Sequence, residues 1–159
     1  MPQSNFKIIY FSLVIAFICL LFPWSGLALK LRPDFLLITI ILWLIRAPNL
    51  CNIGTAWLAG LFVDIATGGI FGQYALAYTI TAYCAVVYQK RLVLFNHTQQ
   101  LLYVFFLLII SQVTLLILKA FSGQPLLSWA YFLPSITGVL LWRTAVALGL
   151  NTGGRARGT

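Results

Sequence analysis

An all-α integral membrane protein of six transmembrane helices, some of them short, is the fold class that the sequence predicts, and three observations predict it. Of the 159 residues, 62% are hydrophobic and 8% are charged. Soluble domains average roughly 45–50% and 25% for the same classes. The mean hydropathy is +0.99. The apolar residues fall into six runs, and at ~20 residues per span the chain has room for five or six crossings. Ten Lys and Arg with two Asp cannot coat a soluble domain. Composition therefore excludes a soluble enzyme, a disordered chain and a small disulfide scaffold.

The first run, Ile8 to Phe22, follows Lys7. It imitates a signal peptide, with Gly26-Leu27-Ala28 as a small-x-small site. A retained span is the better reading, because the rest of the chain is as apolar and leaves no soluble mature protein. Trp24, beside Pro23, suits the headgroup belt. The second run opens at Arg32-Pro33-Asp34, and these residues are expected to start a helix at the membrane interface. Proline suits the first helical turn, where its missing N–H costs nothing. Asp34 complements the positive end of the helix dipole. The run stops at Arg46-Ala47-Pro48. It is too short for a ~30 Å core, so the bilayer must thin or the flanking arginines must snorkel.

The third run, Ile53 to Thr67, places Ala56, Gly60, Asp64 and Gly68 four apart, on one helical face. Small residues on such a face let a second backbone come close. Gly68-Gly69 ends the helix, and Phe71-Gly72-Gln73 opens the fourth run, which ends at Gln89-Lys90-Arg91. The fifth run, Leu101 to Leu118, carries no charge. Its Gln112 is expected to face another helix, because an amide against lipid loses its hydrogen bonds. The sixth run, Leu126 to Trp142, carries Pro134 and Gly138, where a kink is expected. These readings give spans of about 8–28, 33–46, 53–67, 72–88, 100–118 and 126–145 in one polytopic domain, residues 1–150. Residues 151–159 read as a disordered cytoplasmic tail.

With both termini in the cytoplasm, Lys7, Arg46, Lys90, Arg91, Arg143, Arg155 and Arg157 flank the inner face. Lys30, Arg32 and Lys119 flank the outer one, which is the bias the positive-inside rule requires. The net charge of +8 is thus an orientation signal with contact to anionic lipid, and implies no nucleic acid. Merging the second and third runs into a re-entrant hairpin would sink Arg46 into the membrane, a costly arrangement.

No catalytic constellation is expected, nor any cofactor or metal site. Cys19, Cys51 and Cys84 have no metal-ligand spacing, and His97 stands alone. An intramembrane protease would need two acids meeting in the bilayer, and a proton-coupled transporter would need a relay. Asp34 is accounted for by capping. Asp64 is left over. A structural reading makes it cap the turn before Gly68-Gly69, or pair with Arg32 or Lys119. A functional reading gives it a role in the membrane, where acids are functional by default.

Several of these residues resemble a known family. Arg32-Pro33-Asp34 with Trp43 in a short span, the Asn52-to-Thr55 opening with Gly54, Gly60-to-Gly68 with Asp64 at its centre, and Gly72 are similar to the rod shape-determining MreD membrane proteins. The likeness covers roughly residues 30–115 well and the two ends in hydropathy alone. It implies a non-enzymatic protein of the bacterial inner membrane, acting in the cell-elongation machinery. The implied partners are a single-span MreC-like protein and, indirectly, an MreB-like filament and a RodA-type glycosyltransferase with its penicillin-binding transpeptidase. It also implies a fold like the substrate-binding subunits of energy-coupling-factor transporters. Ala56, Gly60, Asp64, Gly68 and Gly72 are then expected to serve partner binding or helix packing. The alternative is a small-ligand-binding subunit of a vitamin-type transporter, with the same face lining a cavity. A third reading, contact of Lys90-Arg91 with a lipid-linked precursor, has only those cations behind it.

Overall fold

The computed structural model describes residues 3–92, 94–123 and 129–153, and all regular structure among them is helical. Six long helices run in chain order: α1 Gln3–Leu21, α3 Phe35–Arg46, α4 Ile53–Thr67, α5 Gln73–Leu92, α6 His97–Phe121 and α7 Leu133–Gly153. A single turn, α2 Leu27–Lys30, follows α1, and a 3₁₀ turn, Trp129–Phe132, leads into α7. α6 is the one helix in the described chain that is long and apolar enough to cross a membrane alone, over Thr98–Phe121. Phe6–Leu21, Phe35–Arg46, Ile53–Thr67 and Leu133–Ala147 are shorter apolar helices.

Local chemistry sets the helix ends. α1 stops at Leu21, where Pro23 follows and the Trp24 indole N–H donates to the Cys19 carbonyl at 3.2 Å. The expected span 8–28 is therefore divided between α1 and α2. Asp34 is the N-cap of α3 and Phe35 its first residue, so Pro33 precedes the helix and does not open its first turn as expected. Thr55 Oγ1 accepts from the Asn52 N–H at 2.7 Å and opens α4, in the manner of a capping box. Gly68 closes α4 in the left-handed conformation, φ 63°, with its N–H on the Asp64 carbonyl. Pro134 does not kink α7. It is the second residue of that helix, where its missing N–H would have no intrahelical acceptor. α7 runs on to Gly153, so the first residues of the expected tail are helical. Arg155, Arg157 and the rest of 154–159 lie outside the described residues.

Side-chain bonds fix the helix directions. Trp43 Nε1 near the end of α3 donates to Ser12 Oγ at the middle of α1 at 2.8 Å, and the Trp24 ring just past α1 stacks on Phe35 at the start of α3, 6.1 Å between centroids. Gln73 Nε2 at the start of α5 donates to Ser122 Oγ just past α6, at 3.1 Å. Ser135 Oγ early in α7 donates to Gln112 Oε1 of α6 at 2.7 Å, so Gln112 does face a neighbouring helix. Successive long helices therefore alternate in direction. One end of the bundle carries residues 22–34, 64–75 and 119–123 with the 3₁₀ turn, and both acids lie there. The other end carries the start of α1, residues 46–52, 89–92 and 94–96, and the later part of α7. We call these the acidic end and the basic end.

α3 is the centre. It touches α1, α4, α5 and α7, and Leu36, Leu37, Ile38, Ile40, Ile41 and Leu44 are all buried. Its 12 residues rise roughly 18 Å. The outside of the bundle is apolar. Phe11, Val14 and Ile18 on α1, Trp57, Phe62 and Ile65 on α4, Leu102 and Phe106 on α6, and Ile136 and Leu140 on α7 are all exposed. A surface of that kind suits hydrocarbon and would associate in water.

Candidate functional site

The face that carries Asp64 is built for one close contact. Gly60 lies one turn before Asp64 and is buried. A Cβ on Gly60 would stand 2.5 Å from Ala75 Cα and 2.7 Å from the Tyr74 carbonyl oxygen. Those atoms belong to the first turn of α5, so backbone meets backbone there and only glycine fits. Ala56, a further turn back, is fully buried.

That approach brings the Asp64 carboxylate to the open end of α5. Oδ2 accepts from the Gly72 N–H at 3.0 Å and from the Ala75 N–H at 3.1 Å, and Oδ1 accepts from the Tyr74 N–H at 2.9 Å. A helix start leaves four backbone N–H groups without intrahelical acceptors. A carboxylate on the preceding helix satisfies three of the donors at this start and faces the positive end of the α5 dipole. Asp64 is only 2% exposed. Gly72, at φ 98°, supplies one of the three donors from a conformation that side chains disfavour. Gly68 is exposed in the turn and contributes its backbone geometry.

Asp64 therefore does not cap the turn at Gly68-Gly69, and its bonds are not to Arg32 or Lys119. The physical reason is proximity. With Gly60 admitting α5, the three N–H groups lie at 2.9–3.1 Å, and such charge-assisted bonds are strong in a buried site.

The second acid sits at the same end. Asp34 Oδ1 accepts from the Leu37 N–H at 3.3 Å and from the Tyr78 hydroxyl at 2.6 Å. Pro33 is buried and Arg32 is half-buried, near enough to Asp34 to act on its charge. At the far end of α3, Gln89 Nε2 donates to the Leu44 carbonyl at 2.8 Å. One helix, α5, thus holds both ends of α3, through Tyr78 and Gln89. Sequence reasoning missed both. The available signal was their separation of 11 residues, about three helical turns, which puts them on one face roughly 16 Å apart. Asp34 and Leu44 are separated by about the same rise.

Lys119 Nζ lies 5.2 Å from the Tyr131 ring centroid, so its charge is directed to the 3₁₀ turn. Among the described residues, no group of three or more His, Cys, Asp or Glu could hold a metal ion. Both ends of α3 and the start of α5 are thus each closed by a side chain. The arrangement organises helices.

Comparison with known proteins agrees with these features. The family model described as "rod shape-determining protein MreD" matches residues 3–148. A Rod shape-determining protein MreD from Haemophilus influenzae (strain ATCC 51907 / DSM 11121 / KW20 / Rd) is 31% identical over 148 residues, which covers 88% of this chain and 89% of the relative. No solved structure matches, and the expected likeness to energy-coupling-factor subunits finds no support. By the extent of the family match and the identity to that relative, the chain belongs to the MreD family of rod shape-determining proteins.

Proposed function

We propose that the bundle is a non-enzymatic scaffold of the elongation complex in the bacterial inner membrane. It binds a single-span MreC-like partner and so helps to control peptidoglycan synthesis and cell shape. An MreB-like filament and a RodA-type glycosyltransferase with its transpeptidase are reached through that partner. The observation that carries this reading is the use made of Asp64. An acid inside a membrane protein is a candidate for proton or substrate handling. Here three backbone N–H groups occupy it, and its work is to hold α4 against α5. The other faces of the helices remain for lipid and for a partner helix.

All six long helices lie in the bilayer in this reading, with the basic end in the cytoplasm. Exposed Lys7, Arg46, Lys90, Arg91 and Arg143 lie at that end and support the orientation, with anionic lipid as their counter-charge. The short α3 is tolerable because it is surrounded by protein, where interrupted backbone at membrane depth is permitted. The Ala56, Gly60 and Asp64 face acts on a partner indirectly, by fixing the α4–α5 hairpin whose outer side the partner meets.

A detergent pull-down of the full-length protein, with mass spectrometry of proteins and small molecules, tests the proposal. Recovery of a single-span protein with a periplasmic domain, and rounding of cells on depletion, are expected. Recovery of a transporter ATPase pair without cell-wall factors would overturn it.

A further inference from the structure

The central helix α3 is covered unevenly around its circumference. Trp43 marks the side of α1 through its bond to Ser12. Ile38 marks the side of α7, where a Cβ on Gly138 would stand 3.3 Å from Ile38 Cδ1. Leu36, Leu37, Ile40, Ile41 and Leu44 fill one arc between those two, towards α4 and α5, and all are buried. Phe35, Thr39, Leu42 and Arg46 fill the other arc. Their spacing of four, three and four sets them in one stripe along the helix. The first three are half-buried and Arg46 is exposed. α1 and α7 flank this stripe, and among the described residues they barely touch each other. The stripe is the floor of a cleft whose walls are α1 and α7.

The cleft is bridged at the acidic end. Thr137 Oγ1 of α7 donates to the Leu31 carbonyl at 2.9 Å, which ties the chain leading into α3 across to the α7 wall. Beside that bond the Trp24 ring lies on Phe35 and covers the top of the floor. At the basic end the floor finishes at the exposed Arg46.

We propose that this cleft holds one anionic phospholipid of the leaflet at the basic end, with an acyl chain along Phe35, Thr39 and Leu42 and its phosphate on Arg46. The proposal rests on the membrane reading above. Depth selects a lipid over a protein helix. From Phe35 to Arg46 the floor rises roughly 16 Å. One leaflet's half of a ~30 Å core is about 15 Å, so the floor matches the chain of a single leaflet. A transmembrane helix needs the whole core and would run into the Leu31–Thr137 bridge. Charge selects an anionic headgroup. The chain's two acids lie at the opposite end, where Leu37, Tyr78 and the start of α5 engage them, so Arg46 has no carboxylate at hand. A guanidinium can bond two phosphate oxygens at once. Basic recesses between membrane helices take anionic headgroups. Thr39 does not spoil the floor for an acyl chain, because its hydroxyl donates to the Phe35 carbonyl at 2.8 Å.

Native mass spectrometry of the full-length protein tests the proposal. The protein is reconstituted in phosphatidylcholine–phosphatidylglycerol vesicles and released into mild detergent, which strips loosely held lipid from the outside of the bundle. One phosphatidylglycerol per chain is expected to stay bound. Arg46→Gln, at an exposed position, should lower the retained fraction several-fold. Thr39→Trp fills the floor and should release the lipid with Arg46 still in place, while circular dichroism reports an unchanged helix content. Arg91→Gln, an exposed cation at the same end on α5, is the reference and should retain the lipid. Undiminished retention in either Arg46→Gln or folded Thr39→Trp would overturn the proposal. Equal loss in Arg46→Gln and Arg91→Gln would overturn it in favour of diffuse attraction. Displacement of the lipid by inorganic phosphate would overturn it in favour of a bare phosphate site. A chain that fails to enter the vesicles would instead remove the membrane reading itself.

Discussion

Two carboxylates at one end of the bundle do the same kind of work in different ways. Asp34 caps its own helix, three residues ahead of the N–H it accepts, and a hydroxyl from α5 steadies it. Asp64 caps a helix that starts nine residues later, and takes three backbone N–H groups at 2.9–3.1 Å. The first is a local device that any Asp at an N-cap performs. The second is a tertiary device and exists only because Gly60 lets α5 touch α4. The difference teaches where the stability of this fold is concentrated. Removing a local cap loosens one turn, whereas removing the tertiary cap leaves buried donors unpaired and separates two helices.

Substitutions at the two sites should differ accordingly. Gly60→Leu should do most harm, because it drives the helices apart and breaks the Asp64 bonds together. A loss of about 5 kcal/mol, or failure to accumulate, is expected. Protein level in membranes and unfolding in mixed detergent would measure it, and near-normal stability would refute the close approach. Asp64→Ala keeps the approach and removes only the acceptors, and about 3–4 kcal/mol should be lost. Asp64→Asn retains one acceptor oxygen and should lose about 2 kcal/mol. The matched change Asp34→Asn should cost no more than about 1 kcal/mol, since a neutral amide still caps well. Equal effects of the two Asn variants would erase the distinction drawn here. Smallest is Gln89→Leu, at about 1 kcal/mol, with looser hydrogen exchange confined to the last turn of α3.

Much of this fold was legible in the sequence, and the exceptions have physical causes. Short-range chemistry was readable. Arg32-Pro33-Asp34 starts α3, Gly68 ends α4, and Gln73 opens α5, because each of these depends on residues a few positions apart. The spacing of Ala56, Gly60 and Asp64 revealed a shared face. It could not reveal that the neighbour on that face would be the next helix's first turn, so the partner of Asp64 was misassigned to nearby cations or to the glycine turn. Tyr78 and Gln89 were overlooked for a related reason. Each looks like an ordinary polar residue in a largely apolar stretch until the 18 Å of α3 is laid alongside them. Pro134 was read as a kink because the sequence does not show that α7 begins one residue earlier.

The α5 cap is the central claim, and amide hydrogen exchange of the full-length protein in bicelles tests it most directly. In the unaltered chain the amides of Gly72, Tyr74 and Ala75 should be protected together. In Asp64→Asn they should exchange markedly faster as a group, while Leu37, which depends on Asp34, keeps its protection. Unchanged protection at those three amides in the variant would contradict the account and return Asp64 to the functional candidates.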